Sequence, residues 1–140
     1  MIVLDASAVI ELVLGLPRAL TVAARVRAVD QTLHAPHLLS AEVAQVVRRF
    51  ERRGHVGANR GAEALTDYVD MDIEYYDHLP FMERVWQLRA NLTAYDALYV
   101  ALAEALDAPL LTTDSRLRKA PGHRAEIEVV EGGETAFSDV

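Results

Sequence analysis

Ile2-Val3-Leu4-Asp5-Ala6-Ser7 near one end of the chain and Leu110-Leu111-Thr112-Thr113-Asp114 near the other decide how the sequence reads. In each, a short run of apolar residues has the look of a strand buried on both faces, and it stops at an aspartate where an apolar or amphipathic helix is about to begin. In a parallel sheet flanked by helices, residues at such junctions project from the carboxyl edge, where folds of this class place their ligands. Two further acidic residues, Glu42 and Asp96, fall in the opening turns of predicted helices. Four carboxylates directed at one edge form an oxygen-rich pocket, and only a cation relieves their mutual repulsion.

Working outward from these stretches, strands and helices alternate. Strands are expected at 2–5, 33–35, 73–76, 110–113 and 127–130, the second of them weak and stopped by Pro36. Helices are expected at 7–14 with Gly15 as terminator, 17–30 opened by Pro17, 38–53 ended by Gly54, 57–69, 80–90, 94–106 and 115–119. Alternation of this kind implies an α/β domain with a mostly parallel central sheet and helices on both sides. The 140 residues, 51% of them hydrophobic, are enough for one domain with a sizeable core, so 1–140 is expected to be a single unit with a frayed tail after about residue 131.

Composition removes several classes of function. No apolar run approaches the roughly 20 residues of a membrane span, and Met-Ile-Val-Leu-Asp has no basic lead-in of a signal peptide, so a cytoplasmic protein without membrane contact is expected. The absence of cysteine excludes disulfides, zinc–thiolate sites and thiol nucleophiles. A net charge of −7 disfavours a surface that grips nucleic acid all over, although acidic site residues contribute to that sum and an RNA substrate stays open. No phosphate-cradling glycine loop, dinucleotide fingerprint or nucleophile elbow occurs.

Each acidic residue also has an ordinary explanation. Asp5 and Asp114 suit helix N-caps, and Asp96, three residues after Thr93, suits a variant of the capping box. The helix that follows Asp96 is almost wholly apolar and must be buried, so its carboxylate needs a partner. On the helix over 38–53, Leu39, Val43, Val46, Val47 and Phe50 share one face, with Glu42 at the edge of a polar side that continues through Gln45, Arg49, Arg52 and Arg53. Glu42 is then either part of a solvated stripe or turned into the pocket. Arg48, Arg49, Arg52 and Arg53 are candidates for guiding RNA phosphates or an acidic partner. Ser7 and Thr112 either cap or end their elements, or orient Asp5 and Asp114 from behind.

Hard oxygen donors without cysteine or spaced histidines select Mg²⁺ or Mn²⁺ over zinc or copper. His34 and His37, on either side of Pro36 in an expected loop, read as surface or packing residues, and Tyr95 and Tyr99 as packing. The apolar residues Val9, Leu12, Val13 and Leu14 are either core or a docking surface.

The blocks Asp5-Ala6-Ser7-Ala8-Val9-Ile10, Ser40-Ala41-Glu42-Val43, Thr93-Ala94-Tyr95-Asp96-Ala97-Leu98-Tyr99-Val100-Ala101-Leu102-Ala103 and Leu111-Thr112-Thr113-Asp114 together resemble the PIN domain, and within it the VapC-type toxins of prokaryotic toxin–antitoxin pairs. The resemblance spans essentially the whole chain in order and spacing, and the third block is its most specific part. It implies neighbouring strands for Asp5 and Asp114 and a Mg²⁺- or Mn²⁺-dependent endoribonuclease. In it Asp5, Glu42, Asp96 and Asp114 hold one or two ions and leave 5′-phosphate and 3′-hydroxyl ends. It further implies a homodimer and a small antitoxin that covers the site. Two other readings stand beside it. A haloacid-dehalogenase-type phosphatase requires a second aspartate where this chain has Ser7, and a PIN-like module that binds RNA or protein without turnover has no use for four repelling carboxylates.

Overall fold

In the computed structural model, which describes residues 1–132, five short strands form one sheet in the order β3-β2-β1-β4-β5, every neighbouring pair parallel. The strands are β1 (Ile2–Leu4), β2 (Leu33–Pro36), β3 (Ile73–Tyr76), β4 (Leu110–Thr112) and β5 (Ile127–Val129). The helices are α1 (Ala6–Leu14), α2 (Ala19–Val26), α3 (Leu38–Arg52), α4 (Ala58–Val69), α5 (Met82–Gln87), α6 (Ala94–Leu106) and α7 (Arg116–Lys119). The parallel sheet flanked by helices is the architecture read from the sequence. The expected frayed tail lies almost wholly outside the described residues.

β1 and the start of β4 are apolar because both faces of the sheet are covered there. Val3, Leu4, Leu110 and Leu111 are at most 1% exposed, and each such side chain contributes about 1.5–3 kcal/mol relative to exposure. α6 lies against β1, β2 and β4 with α5 beside it, while α1, α3 and α4 form a second packed group. Ala97, Val100, Ala101, Leu102 and Ala103 of α6 are all buried, which explains the lack of polar surface in its sequence.

Because all strands run the same way, their carboxyl ends share one edge. The chain leaves β1 toward β2 and β3 on one side and places β4 and β5 on the other, so the β1–β4 junction is the switch point of the sheet. The backbone N–H of Asp5 donates to the Leu111 carbonyl at 3.0 Å, fixing the two strand ends side by side.

Several boundaries differ from expectation. β2 includes Pro36 rather than stopping before it. The β1 ladder reaches only His34, and Pro36 pairs with Tyr76 of β3 alone. His34 is therefore buried in a strand, bonded to Thr32 and Tyr76, and not in a loop, while His37 remains exposed. α2 is shorter than 17–30: the Arg18 backbone N–H turns onto the Glu11 carboxylate at 3.3 Å, and Asp30 adopts a left-handed φ of 61°. The 80–90 helix is split into a 3₁₀ turn, Leu79–Phe81, that accommodates Pro80, and the short α5. Of the apolar residues read as core or docking surface, Val9, Val13 and Leu14 are core and the partly buried Leu12 packs against them.

Candidate active site

Asp5 ends β1 and caps α1, with its Oδ1 accepting the Ala6 N–H at 2.8 Å. The ordinary explanation thus holds for one oxygen. Its Oδ2 accepts from the Ser7 Oγ at 3.0 Å and the Thr112 Oγ1 at 2.7 Å. Those hydroxyls in turn accept backbone N–H groups from the end of β4, Thr113 to Ser7 at 3.0 Å and Asp114 to Thr112 at 3.0 Å. A hydroxyl has one proton. Both hydroxyls lie within donating reach of Asp5 Oδ2 and 3.1 Å from each other, so Ser7 and Thr112 orient that carboxylate and splice the ends of β1 and β4 together.

Glu42 lies one turn into α3, which starts directly after β2 and therefore at the same edge. Its Oε1 accepts a 2.5 Å hydrogen bond from the Tyr99 hydroxyl of α6. Tyr99, 1% exposed, is a packing residue with its polar tip in the site. Tyr95 is not a packing residue: it is 62% exposed and forms the side of a hollow of about 260 Å³ next to Glu42. Asp96 sits in the first turn of α6, its N–H capped by the Thr93 hydroxyl at 3.1 Å.

Three of the four carboxyl groups are pushed toward their neutral form. Burial raises the pKa of Asp5, Glu42 and Asp96 first of all; then the charge of Asp96 acts on Asp5, those of Asp5 and Asp96 act on Glu42, and that of Asp114 acts on Asp96. Hydrogen bonds from Thr112 and Ser7 to Asp5, and from Tyr99 to Glu42, pull the other way without cancelling the effect. Asp114 behaves differently. Arg116 grips it with Nε on Oδ1 at 3.0 Å and Nη2 on Oδ2 at 2.8 Å, and adds its backbone N–H at 3.0 Å, so the Asp114 pKa is held low.

Asp5, Glu42 and Asp114 line one groove of about 440 Å³, and Arg18, Arg49 and Arg116 lie along the same groove. Arg52, on the same helix as Arg49, and Arg53, which follows its end, do not line it. The four acidic residues thus occupy one neighbourhood without closing into a ready cation cage. Among the described residues no three Asp, Glu or His side chains gather tightly enough to hold an ion as they stand. The reason is visible in the geometry: Asp114 is occupied by Arg116, and the other three repel. The donor set nevertheless suits a hard divalent cation, being all oxygen, partly desolvated and short of positive charge. Reading by residue type missed Arg116 and Arg18, since a lone arginine two positions after an aspartate looks like any surface charge. The Asp-x-Arg spacing at a strand-to-helix junction was the signal.

The PIN domain family model matches residues 2–123. Ribonuclease VapC12 of Mycobacterium tuberculosis is 41% identical over 130 residues, covering 93% of this chain and 99% of the relative. Ribonuclease VapC1 of the same organism is 43% identical over 129 residues, 91% of this chain and 96% of the relative. The crystal structure of VapBC2 from Rickettsia felis bound to a DNA fragment from their promoter contains a chain similar in fold, with a TM-score of 0.69 at 16% identity over 94% of this chain and 100% of that one. With the sheet order, the acidic edge and relatives matched nearly end to end, this chain belongs to the PIN-domain family and, within it, to the VapC-type ribonuclease toxins of toxin–antitoxin pairs.

Proposed function

We propose that this protein hydrolyses RNA phosphodiester bonds at the groove lined by Asp5, Glu42 and Asp114, with the Asp96 charge beside them, using one or two Mg²⁺ or Mn²⁺ ions. The observation that carries this reading is the set of three carboxyl groups, Asp5, Glu42 and Asp96, whose charges are desolvated, mutually repelling and unmatched by a bound arginine. A structural role would have supplied a cationic partner, as Arg116 does for Asp114, whereas Asp5 and Glu42 accept from neutral donors. When bound, such ions neutralise the scissile phosphate and make a water acidic enough for in-line attack on phosphorus.

The chain's own groups do the positioning. Ser7 and Thr112 hold the Asp5 carboxylate in one rotamer, and Tyr99 holds Glu42, so the ligands are arranged before substrate arrives. Asp96 on α6 completes the set from the opposite helix layer. The water's oxygen becomes part of a 5′-phosphate and the 3′ oxygen leaves as a hydroxyl. No side-chain nucleophile is required.

The 1–140 unit would act in the cytoplasm as the toxin of its pair, blocked by a small antitoxin protein. The relation of the fold to a chain solved as VapBC2 supports such a partner. A homodimer is the proposed assembly, supported by the apolar side chains of Leu79, Met82 and Trp86, which stand in solvent at i, i+3 and i+7. No single helix among the described residues is long and apolar enough to cross a membrane. One observation favours the alternative of a binding module without turnover, namely the capture of Asp114 by Arg116. Incubating a cellular RNA pool with the purified protein separates the two readings. Cuts with 5′-phosphate ends that require Mn²⁺, vanish with chelator and are absent in Asp96→Asn are expected. Uncut RNA from antitoxin-free, Mn²⁺-loaded protein would leave the binding module.

A further inference from the structure

Arg116 is 85% exposed at its side chain yet points back to Asp114 and lines the groove that Asp114 shares with Asp5 and Glu42. Its guanidinium satisfies two nitrogens on Asp114 in the forked geometry that suits carboxylate and phosphate alike. The same guanidinium also senses the charge of Asp96. Arg116 is therefore the one arginine bonded to any of the four carboxylates among the described residues, and it occupies a carboxylate that the proposed cation requires.

We propose that Arg116 is a phosphate-contact residue of the cleavage groove, parked on Asp114 in the cation-free protein and set free when a divalent cation takes that carboxylate. Three features of the structure carry this. Release costs little packing, because the side chain is almost wholly in water. The released fork stays tethered two residues from Asp114, within the groove that would hold the scissile phosphate. The same groove carries two further guanidinium groups, Arg18 and Arg49. Arg18 is already paired through its Nη1 with the buried Glu11 carboxylate at 2.9 Å, which leaves its buried Nε without a partner among the described residues, whereas Arg49 makes no ion pair among them. An acidic floor with basic walls suits a phosphodiester that approaches through a cation. One residue thus alternates between Asp114 and the RNA backbone, which couples RNA binding to metal loading.

This inference rests on the nuclease reading, and the test keeps the two apart. Calorimetric titration of Mn²⁺ alone into wild type, Arg116→Ala and Arg116→Lys reports the competition, with no RNA present. Removing the competitor is expected to tighten Mn²⁺ binding in Arg116→Ala by roughly two- to fivefold, the scale of an exposed ion pair. Over the same variants, kcat/KM on RNA at saturating Mn²⁺ is expected to fall roughly tenfold, the worth of one charge-assisted contact. The slope of log rate against log salt is expected to flatten by about one phosphate contact. Arg116→Lys, a point charge without the fork, is expected to fall between. A merely structural cap would weaken metal binding and activity together. Mn²⁺ affinity unchanged or weakened in Arg116→Ala, or cleavage kinetics equal to wild type, overturns the role of Arg116. A wild type that neither binds Mn²⁺ nor cleaves overturns the nuclease reading itself.

Discussion

Helix α6 carries a carboxylate near each end, and the protein treats them in opposite ways. Glu104, in the last turn, has a side chain only 2% exposed. It is held by the Arg84 fork at 2.8 and 2.9 Å, with the Arg124 backbone N–H at 2.8 Å. Its pKa is lowered, chiefly by the hydrogen bonds from Arg84. Asp96, in the first turn, faces Asp114 and lies near Asp5 and Glu42, and its pKa is raised, chiefly by burial. The fold knows how to neutralise a buried acid with arginine and does so at one end of α6. At the other end it leaves three acids short of cations, which is the mark of a site that takes its positive charge from outside.

The largest effect expected is on activity. Asp96→Asn should lower RNA cleavage by more than about a hundredfold, beyond the usual loss for residues that only orient a ligand. In metal-free protein the same change should raise Tm by a few degrees at neutral pH. Because the folded pKa of Asp96 is raised, its ionisation opposes folding as pH climbs from the ordinary aspartate range through the folded value. The variant's gain should therefore be present at neutral pH and fade in acid below that ordinary range. A gain that grows on acidification would contradict the assignment.

At the Glu104 end the sign is reversed. Arg84→Ala should cost about 3 kcal/mol in urea unfolding, since it leaves a buried carboxylate with only Arg124, through its backbone N–H and an exposed guanidinium 3.9 Å away. The stability supplied by this pair is present above the ordinary glutamate value and lost as pH falls through the lowered folded value. A loss equal to that of an exposed ion pair would show that the two ends of α6 do not differ.

Smaller effects sharpen the picture within the site. Thr112→Val removes the 2.7 Å bond to Asp5 and the acceptor of the Asp114 N–H. It should weaken Mn²⁺ binding about tenfold, with about 1 kcal/mol of stability lost. Equal Mn²⁺ affinity in this variant would reduce Thr112 to a strand end. Smallest of all, Arg49→Ala should flatten the salt dependence of cleavage by about one contact, while Arg52→Ala leaves it unchanged. Equal slopes for the two variants would mean that groove position does not matter.

Much of this was legible in residue order. β1 and β4 are too short for a clear alternation, but Ile-Val-Leu and Leu-Leu-Thr each ended by a polar switch could hardly be anything but buried strands. The apolar run after Asp96 announced a buried α6. What the chain does not print is where charges meet. Glu42 could be placed at the rim of α3, yet its bond to Tyr99, fifty-seven residues on, depends on how α3 and α6 pack. The same holds for Arg116: the spacing to Asp114 was plain, but only the turn between β4 and α7 shows the fork closing on the carboxylate. Pro36 misled because it stays in β2 by pairing with β3 after the ladder to β1 has ended, and which neighbour a strand keeps is not printed in its own residues.

The central claim is that Asp5, Glu42, Asp96 and Asp114 form a place for a divalent cation. Thermal unfolding of wild type and Asp96→Asn across a titration of millimolar Mn²⁺, with chelator as baseline, tests it most directly. A wild-type Tm that climbs with Mn²⁺, through binding to the folded state alone, and a variant Tm that barely moves are the expected results. A wild-type melting curve indifferent to Mn²⁺ would contradict the site.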